Sequence, residues 1–224
     1  MTGNWYFRVF KWQTALKPVY RISFKTAFCQ QLKTFALSLW TPVNSGEFIG
    51  KPMFFQHNKR FVANAVAWEQ FSQMSSTTLW GIFGVIFIFH QNAIVWFLPA
   101  IPVFVFYNNY ARLGKFASLL LLSSLRYLFF GGAFAWLLHL FSSVDISHLI
   151  SAITVYYFGI SIFPLLSSSG LAARLITGIW IFERLGISSE LTASIIFWLW
   201  IWNSLIPAVA GLILHFKKPA CGNH

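Results

Sequence analysis

Three of the five acids in this chain of 224 residues, Glu47, Glu69 and Glu183, fall in or beside apolar runs. An ionised carboxylate there is costly unless it meets a cation, a water-filled cavity or a ligand. Glu47 is the strongest candidate for chemistry. It follows Pro42-x-Asn44-x-Gly46, where Pro and Gly cannot continue a regular helix. Backbone groups freed by such a break can meet a lipid headgroup or the Arg of another segment, and a capping role for the carboxylate is the structural alternative. Glu69 begins a row with Ser72, Gln73 and Ser76, which share one helical face. That face points either into a bundle or, because Lys59 and Arg60 are near, into juxtamembrane water. Arg174 stands four residues after Gly170, in a segment opened by Pro164 and Ser167-Ser168-Ser169. A guanidinium suits phosphate or carboxylate through its planar donors, and pairing with Glu47 or Glu69 is the alternative. The expectation is that Glu47 and Arg174 line one cavity and that Glu183-Arg184 is a snorkelling ion pair.

Other residue types offer less. His57, His90, His139, His148, His215 and His224 have no metal-ligand spacing, and no cofactor motif accompanies them. Cys29 and Cys221 are too few for a disulfide framework. Ser161 follows Phe158-Gly159-Ile160 and reads as helix packing sooner than as a nucleophile, and Asn203, set among Trp residues, as a hydrogen bond to a neighbouring helix. No nucleophile, base and orienter set is visible, so the sequence argues against an enzyme.

The elements that must position these residues are helices in lipid. Hydrophobic residues make up 57% of the chain and charged residues 9%, too little polar surface to face water all round. Trp and Tyr cluster near the ends of apolar runs, as at membrane interfaces. The net charge of +11 is scattered over loops without the aromatic-and-basic platform of a nucleic-acid site. We expect an all-α, polytopic transmembrane bundle of about six spanning segments plus a re-entrant half-helix. The apolar segments are residues 61–89, 93–107, 116–141, 149–166, 171–185 and 191–216, with a half-length run at 27–40 before them. The organisation expected is a basic cytoplasmic or interfacial segment at 1–26, a helical domain at 27–216 and a short basic tail at 217–224.

Placing residues 1–33, 51–60, 108–115 and the tail in the cytoplasm puts 13 of the 16 basic residues inside. For the first two to share a side, the break near Pro42 must enter the membrane and return. Irregular backbone at that depth is tolerated only against protein or a cavity. The interrupted stretches near Pro42 and Pro164 hold comparable positions in the two halves, as broken helices around a transport site do.

Lys11-Trp12, the run through Phe28 and Leu32, and Pro42-x-x-x-Gly46-Glu47-x-x-x-Lys51 resemble the membrane region of the lysylphosphatidylglycerol synthases and the wider flippase-like family that shares it. Glu69 matches the acid of that family's next helix, Pro164 through Gly170-Leu171-x-x-Arg174 its second Pro/Gly motif, and Gly186 and Pro207-x-x-x-Gly211 its end. The resemblance spans nearly the whole chain. Gln70 and Gln73 stand where relatives carry a basic residue and a later acid, and Leu175 replaces a Glu. The resemblance implies a member short at its N terminus, without the soluble aminoacyl-transfer domain.

What it implies for function is lipid translocation across a bacterial-type inner membrane, both termini cytoplasmic, with an aminoacylated phospholipid or a polyprenyl-linked lipid as cargo. The alternative is a membrane subunit, or an enzyme, of lipid modification. Membrane lipids with anionic or lipid-linked headgroups are the expected partners, together with a lipid-modifying enzyme or a second copy of the chain. The residues expected at the headgroup are Pro42, Asn44, Gly46, Glu47, Glu69, Gly170 and Arg174.

Overall fold

The computed structural model describes residues 2–38, 41, 45–89, 110–162 and 170–216, and every regular element among them is helical. The order is α1 (Thr2–Leu16), α2 (Phe24–Ser38), α3 (Ser45–Gly50), a 3-10 turn at Lys51–Phe54, α4 (Lys59–Phe89), α5 (Tyr110–Phe141), α6 (Ile146–Ile162), α7 (Leu171–Phe182) and α8 (Ser189–Phe216). A π-helical turn at Ile201–Leu205 interrupts α8.

Local chemistry sets several of these boundaries. Gly170 takes φ +66° at the start of α7 and Gly186 φ +76° after its end, left-handed conformations that a residue without Cβ adopts at little cost. Ser188 then caps α8, its side chain accepting from the Leu191 N–H at 3.3 Å.

The bundle is closed by small residues and hydroxyls. A Cβ on Gly84 would overlap the Thr154 side chain, so only glycine lets α6 lie this close to α4. Ser76 and Ser124 meet at 3.0 Å between α4 and α5. Gly211 of α8 sits against the Leu32 carbonyl of α2 in the same way. One core gathers Phe134, Leu138, Leu149, Ile153 and Phe182, and a second gathers Trp12, Leu16, Phe55, Val66 and Leu119.

Among the described residues, two helices are long and apolar enough to cross a membrane, Gly114–Phe141 within α5 and Ser189–Phe216. Six spanning segments are not supported. The 12 residues of α7 and the 17 of α6 reach only about 18 and 26 Å, against a hydrocarbon core of about 30 Å. The 31 residues of α4 are long enough, but their first half holds Lys59, Arg60, Asn64, Glu69, Gln70 and Gln73. The segment expected at 93–107 lies outside the described residues. Apolar side chains nonetheless face outward on α5 (Leu121, Phe129, Trp136), α8 (Trp198, Trp202, Ile213) and the second half of α4 (Leu79, Phe83, Ile86).

On either side of the interrupted stretch before Glu47, α3 packs back against the end of α2. The first part of the basic N-terminal stretch is helical. It forms α1, which packs on α5 and buries Arg8 and Lys11. The reason is an apolar stripe through Trp5, Val9, Trp12 and Leu16, all buried and spaced for one helical face.

Candidate functional site

Two neighbouring groups of charge occupy the interior, and they are built differently. The first is solid. Glu47, in the first turn of α3, pairs with Arg8 of α1 and with Lys51 Nζ at 2.9 Å. The same ammonium reaches Glu69 of α4 at 2.7 Å. Gln70 Nε2 donates to Glu47 at 3.2 Å and Gln31 Nε2 to Glu69 at 3.4 Å. Lys51 lies 4.5 Å from the centre of the Trp12 ring, and Arg8 lies 4.5 Å from that of Phe35. Trp12 in turn donates to Gln30 at 3.0 Å. Lys51 is fully buried, which pulls its ammonium down to about 8 against the opposing pull of Glu69.

Gly46 explains how α3 gets close enough. A Cβ there would stand 2.7 Å from the Ser38 nitrogen, so α3 can abut the end of α2 only with glycine at this position. Thr41 Oγ1 accepts from the Gly46 N–H at 2.7 Å.

The second group borders a cavity of about 390 Å³ between α1, α3, α4, α5, α6, α7 and α8, within the usual range for small-ligand sites. Arg126 and Arg174 both line it. Arg126 Nε donates to Asn4 Oδ1 at 2.6 Å and its NH1 to Gln73 Oε1 at 3.4 Å. Asn4 in turn donates to Asn203. Arg174 makes no ion pair among the described residues. Tyr127 and Tyr157 also line the cavity, with hydroxyls that are shielded from solvent and have no hydrogen-bond partner among the described residues. Phe48, Met74, Phe130 and Ile160 supply the apolar wall. Comparison with protein-family models, with curated proteins and with solved structures found no match. The geometry therefore carries the functional argument alone.

The sequence-derived candidates divide between the two groups. Glu47 and Glu69 belong to the solid cluster, and Gly46 lets α3 abut α2. Glu47 pairs with Arg8 and Lys51 rather than with Arg174. Gln70 connects the groups, bonding Glu47 and lining the cavity. Gly170 starts the helix that carries Arg174, and its carbonyl accepts from the Arg174 N–H at 3.2 Å. Pro42, Asn44 and Pro164 lie outside the described residues. The row from Glu69 faces inward, with Ser72 and Ser76 buried and Gln73 on the cavity. Asn203 bonds the neighbouring α1 from the middle of the π-helical turn.

Glu183 and Arg184 are both exposed, and the Arg184 guanidinium sits 3.9 Å from the centre of the Trp180 ring instead of on Glu183. Ser161 donates to the Tyr157 carbonyl one turn back, at 2.8 Å, which fits the packing reading. Sequence reasoning missed Arg126, Asn4, Tyr127 and Tyr157. A basic residue in the middle of the apolar run 116–141 was the available signal for Arg126.

Proposed function

We propose that this chain is an integral membrane protein that holds a polar lipid headgroup in the cavity and carries it between leaflets while the acyl or prenyl tail stays in lipid. One observation carries the reading. Arg126 falls near the middle of the membrane-competent stretch Gly114–Phe141, and Asn203 near the middle of Ser189–Phe216. Both line the same cavity. An arginine at the centre of a bilayer costs about 2.5–3.5 kcal/mol on insertion scales, so such residues face protein or water and mark transport paths. The π-helical turn around Asn203 adds to this, since such bulges recur at functional positions.

Aminoacylated phospholipids and polyprenyl-linked lipids are the cargo classes considered, in a bacterial-type inner membrane crossed several times with both termini cytoplasmic. The outward apolar faces of α4, α5 and α8 support lipid as the surrounding solvent. A membrane subunit of a lipid-modifying enzyme would present the same cavity without moving lipid.

Reconstitution of the purified chain in liposomes with headgroup-labelled lipids separates the two. Leaflet exchange faster than in protein-free vesicles is the expected result, and exchange at the protein-free rate for every headgroup tested removes the transport reading. For orientation, in a chain without other cysteines, Ser143→Cys is expected to react with an impermeant thiol reagent added outside and Asn58→Cys to stay unmodified. The reverse pattern inverts the topology.

A further inference from the structure

Assuming that the cavity is the headgroup site, its charge says which headgroup it takes. Five basic side chains stand in or beside it. Arg8, Lys11 and Lys51 are buried in the cluster behind the wall, and Arg126 and Arg174 are on the wall itself. Lys51 ties this cluster to Glu69 at 2.7 Å, and Gln70 bridges from Glu47 to the cavity. Only two carboxylates belong to this neighbourhood among the described residues. Glu47 is taken up by Arg8 and Lys51, Glu69 by Lys51, and neither lines the cavity. The remaining acids, Asp145, Glu183 and Glu190, are all exposed.

Buried charge is normally matched by opposite charge. Arg126 and Arg174 make no ion pair among the described residues, and both face open space. The neutral groups around that space agree. Gln73 and Asn203 line it with side-chain amides whose oxygens accept from Arg126 and Asn4, and Arg126 and Arg174 present planar donor forks. A phosphate offers acceptors to both forks. An ammonium group would find no carboxylate on the wall and two guanidinium groups repelling it.

We propose that the cavity selects lipids whose headgroup carries a multiply charged phosphate, such as a prenyl diphosphate, and rejects headgroups that carry an ammonium, such as a lysyl ester. Of the two cargo classes, this favours the prenyl-linked one.

Calorimetric titration of the full chain in nanodiscs tests this with four probes: geranyl diphosphate, dihexanoyl phosphatidylglycerol, its lysyl ester, and inorganic pyrophosphate. Geranyl diphosphate is expected to bind at least tenfold more tightly than the lysyl ester, with phosphatidylglycerol between them. Arg174→Gln is expected to weaken geranyl diphosphate at least tenfold without weakening the lysyl ester. If Arg174→Gln does not fold, Arg174→Lys keeps the charge but loses the fork and is expected to weaken the diphosphate by a smaller factor. Lysyl ester binding as tight as that of the diphosphate, or diphosphate binding indifferent to Arg174, overturns the proposal. Inorganic pyrophosphate matching geranyl diphosphate keeps the phosphate chemistry and overturns the lipid source. Vesicle exchange keeps this test separate from the transport reading. This order of affinity without exchange removes transport alone, and exchange that prefers the lysyl ester removes the charge selectivity alone.

Discussion

Glu47 and Arg174 are both charged groups held inside a helical bundle, yet the regions around them serve opposite ends. Around Glu47, both carboxylates are answered. Two carboxylates, Lys51 and Arg8 interlock three segments that are far apart in sequence, and aromatic rings cover the cations. Around Arg174 the guanidinium faces a cavity, and its neighbour Arg126 is held by amides rather than by a carboxylate. The contrast teaches how to separate charges that hold a fold from charges that wait for a ligand. Burial alone does not do it, because Lys51 and Arg126 are both interior. Whether the counter-charge is already present does.

The comparison breaks most easily at Lys51. Lys51→Ala leaves Glu47 and Glu69 facing each other's charge with one ammonium missing, and removing one partner of a buried pair costs about 3–5 kcal/mol. Loss of the folded monodisperse protein, seen as a collapsed chromatography profile or a strongly lowered melting temperature, is expected. Arg174→Gln should do the reverse. Its melting temperature should stay close to that of the parent, a change of at most about 1 kcal/mol, because no ion pair is broken. Its lipid exchange in liposomes should fall at least tenfold. A large stability loss with unaltered exchange would erase the distinction between the two regions.

Asn203→Leu should fall between them. It removes the acceptor of Asn4, which itself accepts from Arg126, so the guanidinium loses its fixed position while its charge remains. We expect about 1 kcal/mol of destabilisation, the usual worth of one such hydrogen bond, and a smaller loss of exchange than for Arg174→Gln. An unchanged melting curve and unchanged exchange would show that the chain through Asn4 does not position Arg126. Smallest of all is Arg184→Ala. The Arg184 side chain is exposed and rests on Trp180, so stability should shift by about 0.5 kcal/mol or less and exchange not at all. A clear loss of exchange would place a working charge outside the cavity.

The spacing of residues set much of what could be read in advance. Helical periodicity put Glu69, Ser72, Gln73 and Ser76 on one face and left open whether that face meets the bundle or juxtamembrane water, and the packing buries Glu69, Ser72 and Ser76. The stripe Trp5, Val9, Trp12, Leu16 was equally legible, but the six basic residues scattered through 1–33 drew attention away from it. Charge counting also assigned cations to loops, and so passed over Arg126, which lies in the middle of an apolar run. Six spanning segments are not supported for a related reason. Apolarity alone does not say how long a helix stays regular, and α7 ends after 12 residues.

Composition and period by themselves determined that the chain is helical and that Glu47, Glu69 and Arg174 sit within or between its apolar runs, because these are properties of a residue and its neighbours within one or two turns. Only the tertiary structure decided which cation meets which acid. Glu47 finds Arg8 across α1 and α3, Lys51 is shared with Glu69, and Arg126 reaches Asn4 at a separation of 122 positions. Such partners are set by where Gly46, Gly84 and Gly211 let helices approach. An ion pair has no period along the chain, so the choice between a closed cluster and an open cavity belongs to the packing.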